Sequence, residues 1–126
     1  MIPFCRDSCI GVLPWSPLAR GVLAHPWNER TTLREQTDKL LQNLVRRDET
    51  SADKLVVDRV ADLAKRRGVS MAVVGLAWCL KKEVFPITGL ASTDRIDEAI
   101  SAVSFQLSEE EVEYLEEPYI PKMPRY

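Results

Sequence analysis

Two short apolar runs, Ile10-Gly11-Val12-Leu13-Pro14-Trp15 and Val84-Phe85-Pro86-Ile87-Thr88, are the stretches of this 126-residue sequence that read as buried strands. Both are apolar at nearly every position rather than at alternate ones, the pattern of a strand covered on both faces in a parallel sheet. Pro14 lacks a ladder donor and so belongs near a strand end or at a bulge. Turn-forming residues follow each run: Ser16-Pro17 after the first and Gly89-Leu90-Ala91 after the second. A parallel strand needs cover on both faces and a partner along each edge, and two strands cannot provide that. Strand, long helical connection, strand, helix is the grammar of a parallel β/α unit. A complete β/α barrel takes about 250 residues, so the chain reads as an α/β fragment, half of a barrel at most.

Between and after the strands the pattern is helical. From Ala24 to about Asp53 the chain is polar, with one modest helix predicted through Leu40, Leu41, Leu44 and Val45; so long an excursion has the character of a lid. The clearest helix runs from about Asp53 to Arg67, with Val56, Val60, Leu63 and Ala64 at helical spacing and Gly68 as its left-handed cap. Met71 to Leu80 is apolar nearly all round and implies a helix pressed between other elements, with Lys81 and Lys82 complementing its C-terminal dipole. Ser92 or Thr93 caps a helix through about Val103, and Ser108-Glu109-Glu110-Glu111 is a capping box opening a short acidic helix that ends before Pro118. The N-terminal Met1 to Ser8 is short and mixed, and the tail from Tyr119 to Tyr126 reads as extended.

Composition narrows the functional classes. A net charge of -2, with 45% hydrophobic and 29% charged residues, suits one soluble globular unit spanning residues 1–126. Basic residues are interspersed with acidic ones, which predicts no nucleic-acid partner; Arg46-Arg47 and Lys65-Arg66-Arg67 read as solvated helix ends. Cys5, Cys9 and Cys79 form an odd set without zinc-site spacing, and Cys79 sits in an apolar run as a core residue. No run approaches 18 apolar residues and no leader pattern opens the chain, so a cytoplasmic location and no membrane partner are expected.

In β/α barrels and open α/β sheets, ligands bind at the C-terminal ends of strands. Here those ends read Trp15-Ser16-Pro17-Leu18-Ala19-Arg20-Gly21 and Thr88-Gly89-Leu90-Ala91-Ser92-Thr93-Asp94-Arg95. An indole at a strand tip offers a stacking face, and a following loop with hydroxyl, backbone and guanidinium donors can hold a pyrophosphate. At the second end a glycine permits close approach, and a helix N-terminus with Arg95 in its first turn suits a phosphate. Taken singly, Trp15 is equally a core aromatic, Arg20 a solvated loop residue and Arg95 an exposed helix charge.

Together these motifs carry a resemblance. The segment G-V-L-P-W-S-P-L-A-R-G, Gly11 to Gly21, resembles the seventh strand and following loop of the aldo-keto reductases, in the branch related to potassium-channel β subunits and fungal NADP-dependent reductases. Arg59-Val60, Gly68-Val69-Ser70-Met71-Ala72 through Ala77-Trp78, Pro86-Ile87-Thr88-Gly89 and Leu107-Ser108-Glu109-Glu110 continue it in order, so that it spans essentially the whole chain. The resemblance implies the C-terminal fragment of a (β/α)8 TIM barrel, its last two strands with their helices and the tail. It also implies binding of NADP(H) without a Rossmann fold and reduction of a small aldehyde or ketone.

By the same resemblance Trp15 stacks on the nicotinamide, while Ser16, Leu18, Arg20 and Gly21 line the pyrophosphate loop. Arg34 matches an arginine of the excursion that folds over the cofactor. Gly89, Ala91, Arg95 and Glu98 hold the adenosine and its 2′-phosphate, with Arg95 as the phosphate ligand and Glu98 facing the adenine. Ala99 stands where the family usually has asparagine, which removes one polar contact to the adenine. The family's proton-donating tyrosine, its lysine and aspartate partners and its histidine come from earlier strands than those matched here, and neither His25 nor Tyr114, Tyr119 or Tyr126 is expected to replace them. Two functional classes remain: the C-terminal part of such a reductase, or a non-catalytic relic that associates through an exposed barrel edge.

Overall fold

Capping signals place the helices. The computed structural model describes residues 1–29 and 31–122, without the side chains of Arg34 and Leu44. Helix α1 spans Ile2–Asp7, α2 Leu33–Thr37, α3 Ser51–Arg67, α4 Met71–Lys81, α5 Thr93–Ser104 and α6 Glu109–Glu116. Thr50 and Asp53 form a reciprocal capping box that starts α3, and Gly68 ends it at φ 65°. That box puts the first turn two residues before the expected start. Ser70, Ser92 and Ser108 cap α4, α5 and α6, each accepting from the backbone N–H three residues on.

The structure departs from the sequence reading in several places. The N-terminal segment is helical, because Pro3 sits in the first turn, where its missing N–H costs nothing. The excursion holds two short pieces in place of one helix: α2 and a π-helical turn, Leu41–Arg46. Asp38 divides them, since its Oδ1 accepts from the N–H groups of Leu40 at 2.9 Å and Leu41 at 3.1 Å and starts a new turn. Arg46, expected as a solvated helix end, has a side chain only 8% exposed and is clasped by Glu35 and Glu49.

Helix α4 is the centre of the packing. It lies against α3, α5 and the turn after the first extended segment, while α6 packs back on α3. Leu63 and Val74 are fully buried where these helices meet, with Val57, Val60, Leu107, Val112 and Leu115 around them. Cys79 is buried on α4 as expected, and that burial pushes its thiol pKa up. No helix among the described residues is long and apolar enough to cross a membrane.

The two predicted strands lie side by side and parallel, yet no sheet strand forms among the described residues. Phe85 N–H donates to Val12 C=O at 2.9 Å and Ile87 N–H to Pro14 C=O at 3.0 Å, and Trp15 and Ile87 make one parallel bridge. Each segment has a partner along one edge only, too little for a regular ladder. Exposure alternates along both. Val84 is buried, whereas Leu13, Trp15, Phe85 and Ile87 are 67%, 63%, 63% and 54% exposed.

Candidate functional site

Both extended segments end at the same groove. The first leads into a loop with unusual backbone: Ser16, Ala19 and Arg20 have φ of 55°, 48° and 59°, and Gly21 follows at 106°. Left-handed conformations at successive non-glycine residues are unfavourable and persist where surrounding contacts fix them. Here the Ser16 hydroxyl accepts from Arg20 N–H at 3.1 Å, and Gly21 N–H donates to Leu18 C=O at 2.9 Å. The loop then runs into the 3-10 turn Ala19–Ala24, which packs on α4.

A glycine that sequence reasoning passed over seats this loop. Gly75 lies inside α4, where glycine is costly, and a Cβ built there would stand 2.8 Å from Cδ2 of Leu18. Its absence lets Leu18 press onto the helix. An isolated glycine in an otherwise apolar helical run was the signal available. Gly75→Val is therefore expected to displace Leu18 and destabilise the chain by about 1–3 kcal/mol by overpacking. Thermal melting checks this, and an unchanged or raised midpoint would show that Leu18 does not depend on the gap.

The excursion forms the opposite wall. Arg20 Nε and NH2 reach Asp38 Oδ2 at 2.8 and 2.6 Å, and the guanidinium lies 5.4 Å from the Trp15 ring centroid. The hydrogen bond from Arg20 holds the Asp38 carboxyl below the usual carboxylate range. Arg46 Nε reaches Glu35 Oε1 at 2.7 Å, Arg46 also pairs with Glu49, and its guanidinium lies over the Trp27 ring at 5.3 Å. Burial opposes the Arg46 charge, but its bonds to Glu35 and Glu49 outweigh that and raise its pKa. These pairs fold the excursion on itself and tie it to the loop.

From the second segment, Thr88 and Gly89 lead to Ser92, whose side chain accepts from Arg95 N–H at 3.4 Å at the start of α5. Arg95 is exposed and has no ion pair among the described residues. The resulting groove has a volume of about 830 Å³, within the usual range for small-molecule sites. Ser16, Leu18, Arg20 and Gly21 line it from one loop, Gly89 from the other, and Arg95 and Glu98 from α5. Trp15 stands beside it, joined through Arg20, and Ala91 is exposed outside its lining. Arg34 lies on α2, with its side chain outside the described residues. Ala99 lines the groove and packs against Val73 and Leu76 of α4. His25, Glu35, Asp38 and Arg46 also line it and were not singled out as site residues by sequence reasoning, since only folding brings the excursion over the loop.

Known proteins are similar to this chain in sequence and fold. The sequence profile of the Aldo/keto reductase family matches residues 1–120. The versiconal hemiacetal acetate reductase of Aspergillus parasiticus is 53% identical over 123 residues, covering 97% of this chain and 36% of that protein. An aldo-keto reductase of Metarhizium robertsii is 38% identical over 123 residues, covering 97% of this chain and 33% of its own length. This chain thus spans about a third of the relatives it matches. Among solved structures, the glycerol dehydrogenase of Gluconobacter oxydans superposes with a TM-score of 0.69 at 21% identity, over 100% of this chain and 40% of that one. A thermostable aldo-keto reductase does so with a TM-score of 0.63 at 20% identity, over 94% and 33% respectively.

Proposed function

Because the chain belongs to the aldo/keto reductase family, we propose that it forms the C-terminal part of a (β/α)8 TIM barrel, with its groove as part of an NADP(H) site. The barrel is a cytoplasmic oxidoreductase that reduces small aldehydes or ketones to alcohols. The observation that carries this reading is the convergence of two separate strand ends on one groove, with Ser16, Leu18, Arg20 and Gly21 facing Gly89, Arg95 and Glu98.

The residues present fit the cofactor in kind. When bound, NADPH supplies the hydride. Trp15 offers an exposed indole at the strand tip for stacking. Arg20 carries a positive charge to the loop but already holds Asp38, so a pyrophosphate would share or replace that carboxylate. Space beside Gly89 is open, since a Cβ there would meet nothing within 4 Å. Arg95, at a helix N-terminus and without an ion pair among the described residues, is the group best placed for a 2′-phosphate.

That assignment has a direct test in a barrel that joins this chain to the remaining two-thirds of the Aspergillus relative. Arg95→Ala is expected to weaken NADPH by about tenfold or more, the worth of one charge-assisted contact, and to leave NADH nearly unchanged. Titration of each cofactor by fluorescence measures both constants. Equal losses would reject Arg95 as the phosphate ligand.

A further inference from the structure

The cation that the groove presents from its first loop is already occupied. Arg20 and Asp38 both line the groove, with side chains 20% and 12% exposed, and the guanidinium reaches Asp38 Oδ2 through Nε at 2.8 Å and NH2 at 2.6 Å. Two guanidinium nitrogens on one anionic oxygen is a contact that a phosphate oxygen could make with the same side chain. Neither residue depends on the other for its backbone. Asp38 Oδ1 holds the N–H groups of Leu40 and Leu41 at 2.9 and 3.1 Å, and Arg20 N–H donates to the Ser16 hydroxyl at 3.1 Å. The pair can therefore part without undoing the turn on one side or the loop on the other. Folding the excursion on itself falls to a different group: Arg46, 8% exposed, holds both Glu35 and Glu49 and lies over Trp27. Arg20 by contrast has one carboxylate and faces the groove.

We propose that Asp38 is an internal stand-in for the anionic group of the ligand, so that a diphosphate binds by exchanging with this carboxylate on Arg20 and Asp38 sets its affinity. The inference rests on the NADP(H) reading above. Exchange replaces one charge-assisted contact by another, so the diphosphate gains less than a free Arg20 would give it. In population terms, the apparent affinity is reduced by the fraction of molecules in which Arg20 is free. A clasp that closes over bound ligand would use the same two residues with the opposite sign, since breaking it would weaken binding. The diphosphate of a nucleotide cofactor and free inorganic pyrophosphate share the chemistry that Arg20 recognises, and separate titrations tell them apart.

The test is calorimetric. The barrel that joins this chain to the remaining two-thirds of the Aspergillus relative is titrated with NADPH, and both that barrel and this chain as it stands are titrated with inorganic pyrophosphate. Asp38→Asn removes the charge while its amide oxygen can still accept from Leu40 and Leu41 N–H. The Kd of each ligand is expected to fall by about tenfold or more, the worth of one charge-assisted contact. Asp38→Ser, a second side chain suited to starting a turn, should do the same. Glu113→Gln removes an equal charge at an exposed position of α6 outside the groove lining and should leave both constants unchanged. Weaker binding in the Asp38 variants would make the pair a clasp and overturn the proposal, as would unchanged binding or an equal gain in Glu113→Gln. If neither the unmodified barrel nor its Asp38→Asn form binds NADPH, the cofactor reading falls and pyrophosphate decides alone. Tighter pyrophosphate binding in Asp38→Asn then upholds the exchange, and no pyrophosphate binding overturns it as well.

Discussion

Incubated with NADPH and a panel of aldehydes and ketones, the chain on its own is expected to show no turnover above a no-protein control. Carbonyl reduction needs a proton delivered to the oxygen as hydride arrives, and a positioned acid is worth about 10²–10⁴-fold in rate. The groove offers no tyrosine for that task among the described residues. Tyr114 lies on α6, where its hydroxyl donates to Asp62 of α3 at 3.0 Å and Arg59 and Arg66 approach its ring at 4.6 and 5.1 Å. Burial and the bond to Asp62 raise its pKa, which makes it a weaker acid on the wrong face of the molecule. His25, the one histidine of the sequence, also lines the groove. Steady NADPH consumption that disappears in His25→Gln would show that the groove supplies its own acid.

Helices α3 to α6 were legible in the sequence for local reasons. Caps at Thr50, Ser70, Ser92 and Ser108 act through bonds three residues away, and the apolar circumference of α4 announces its central position without reference to any partner. What failed was non-local. Asp38 reads as one polar residue among many, yet it breaks the excursion into two pieces and holds Arg20 across 18 positions of sequence. Arg46 reads as one of a basic pair, and only the folded excursion buries it between Glu35 and Glu49. Strand prediction failed for a related reason. The residues of 10–15 and 84–88 have strand chemistry and find each other in parallel, but a pair with no third strand beside it is marginal.

The largest effect on stability should come from Leu63→Ala. Leu63 is 0% exposed on α3, inside the cluster where Val57, Val60, Val74, Leu107, Val112 and Leu115 also meet. Truncation there removes transfer energy and leaves a cavity that helices fixed on several sides cannot close, a loss of about 2–5 kcal/mol. That is a large fraction of the roughly 5–15 kcal/mol typical of a whole domain. The urea midpoint should fall by about 1 M or more. Leu55→Ala, on the same helix but 44% exposed, serves as the comparison and should shift it little. Equal shifts would mean that the α3–α4 contact is not what holds the chain together. If Leu63→Ala alone unfolds it, the groove goes with the core, because α4 carries Gly75 and so the seat of Leu18, and the loop that presents Ser16 and Arg20 rests on that helix.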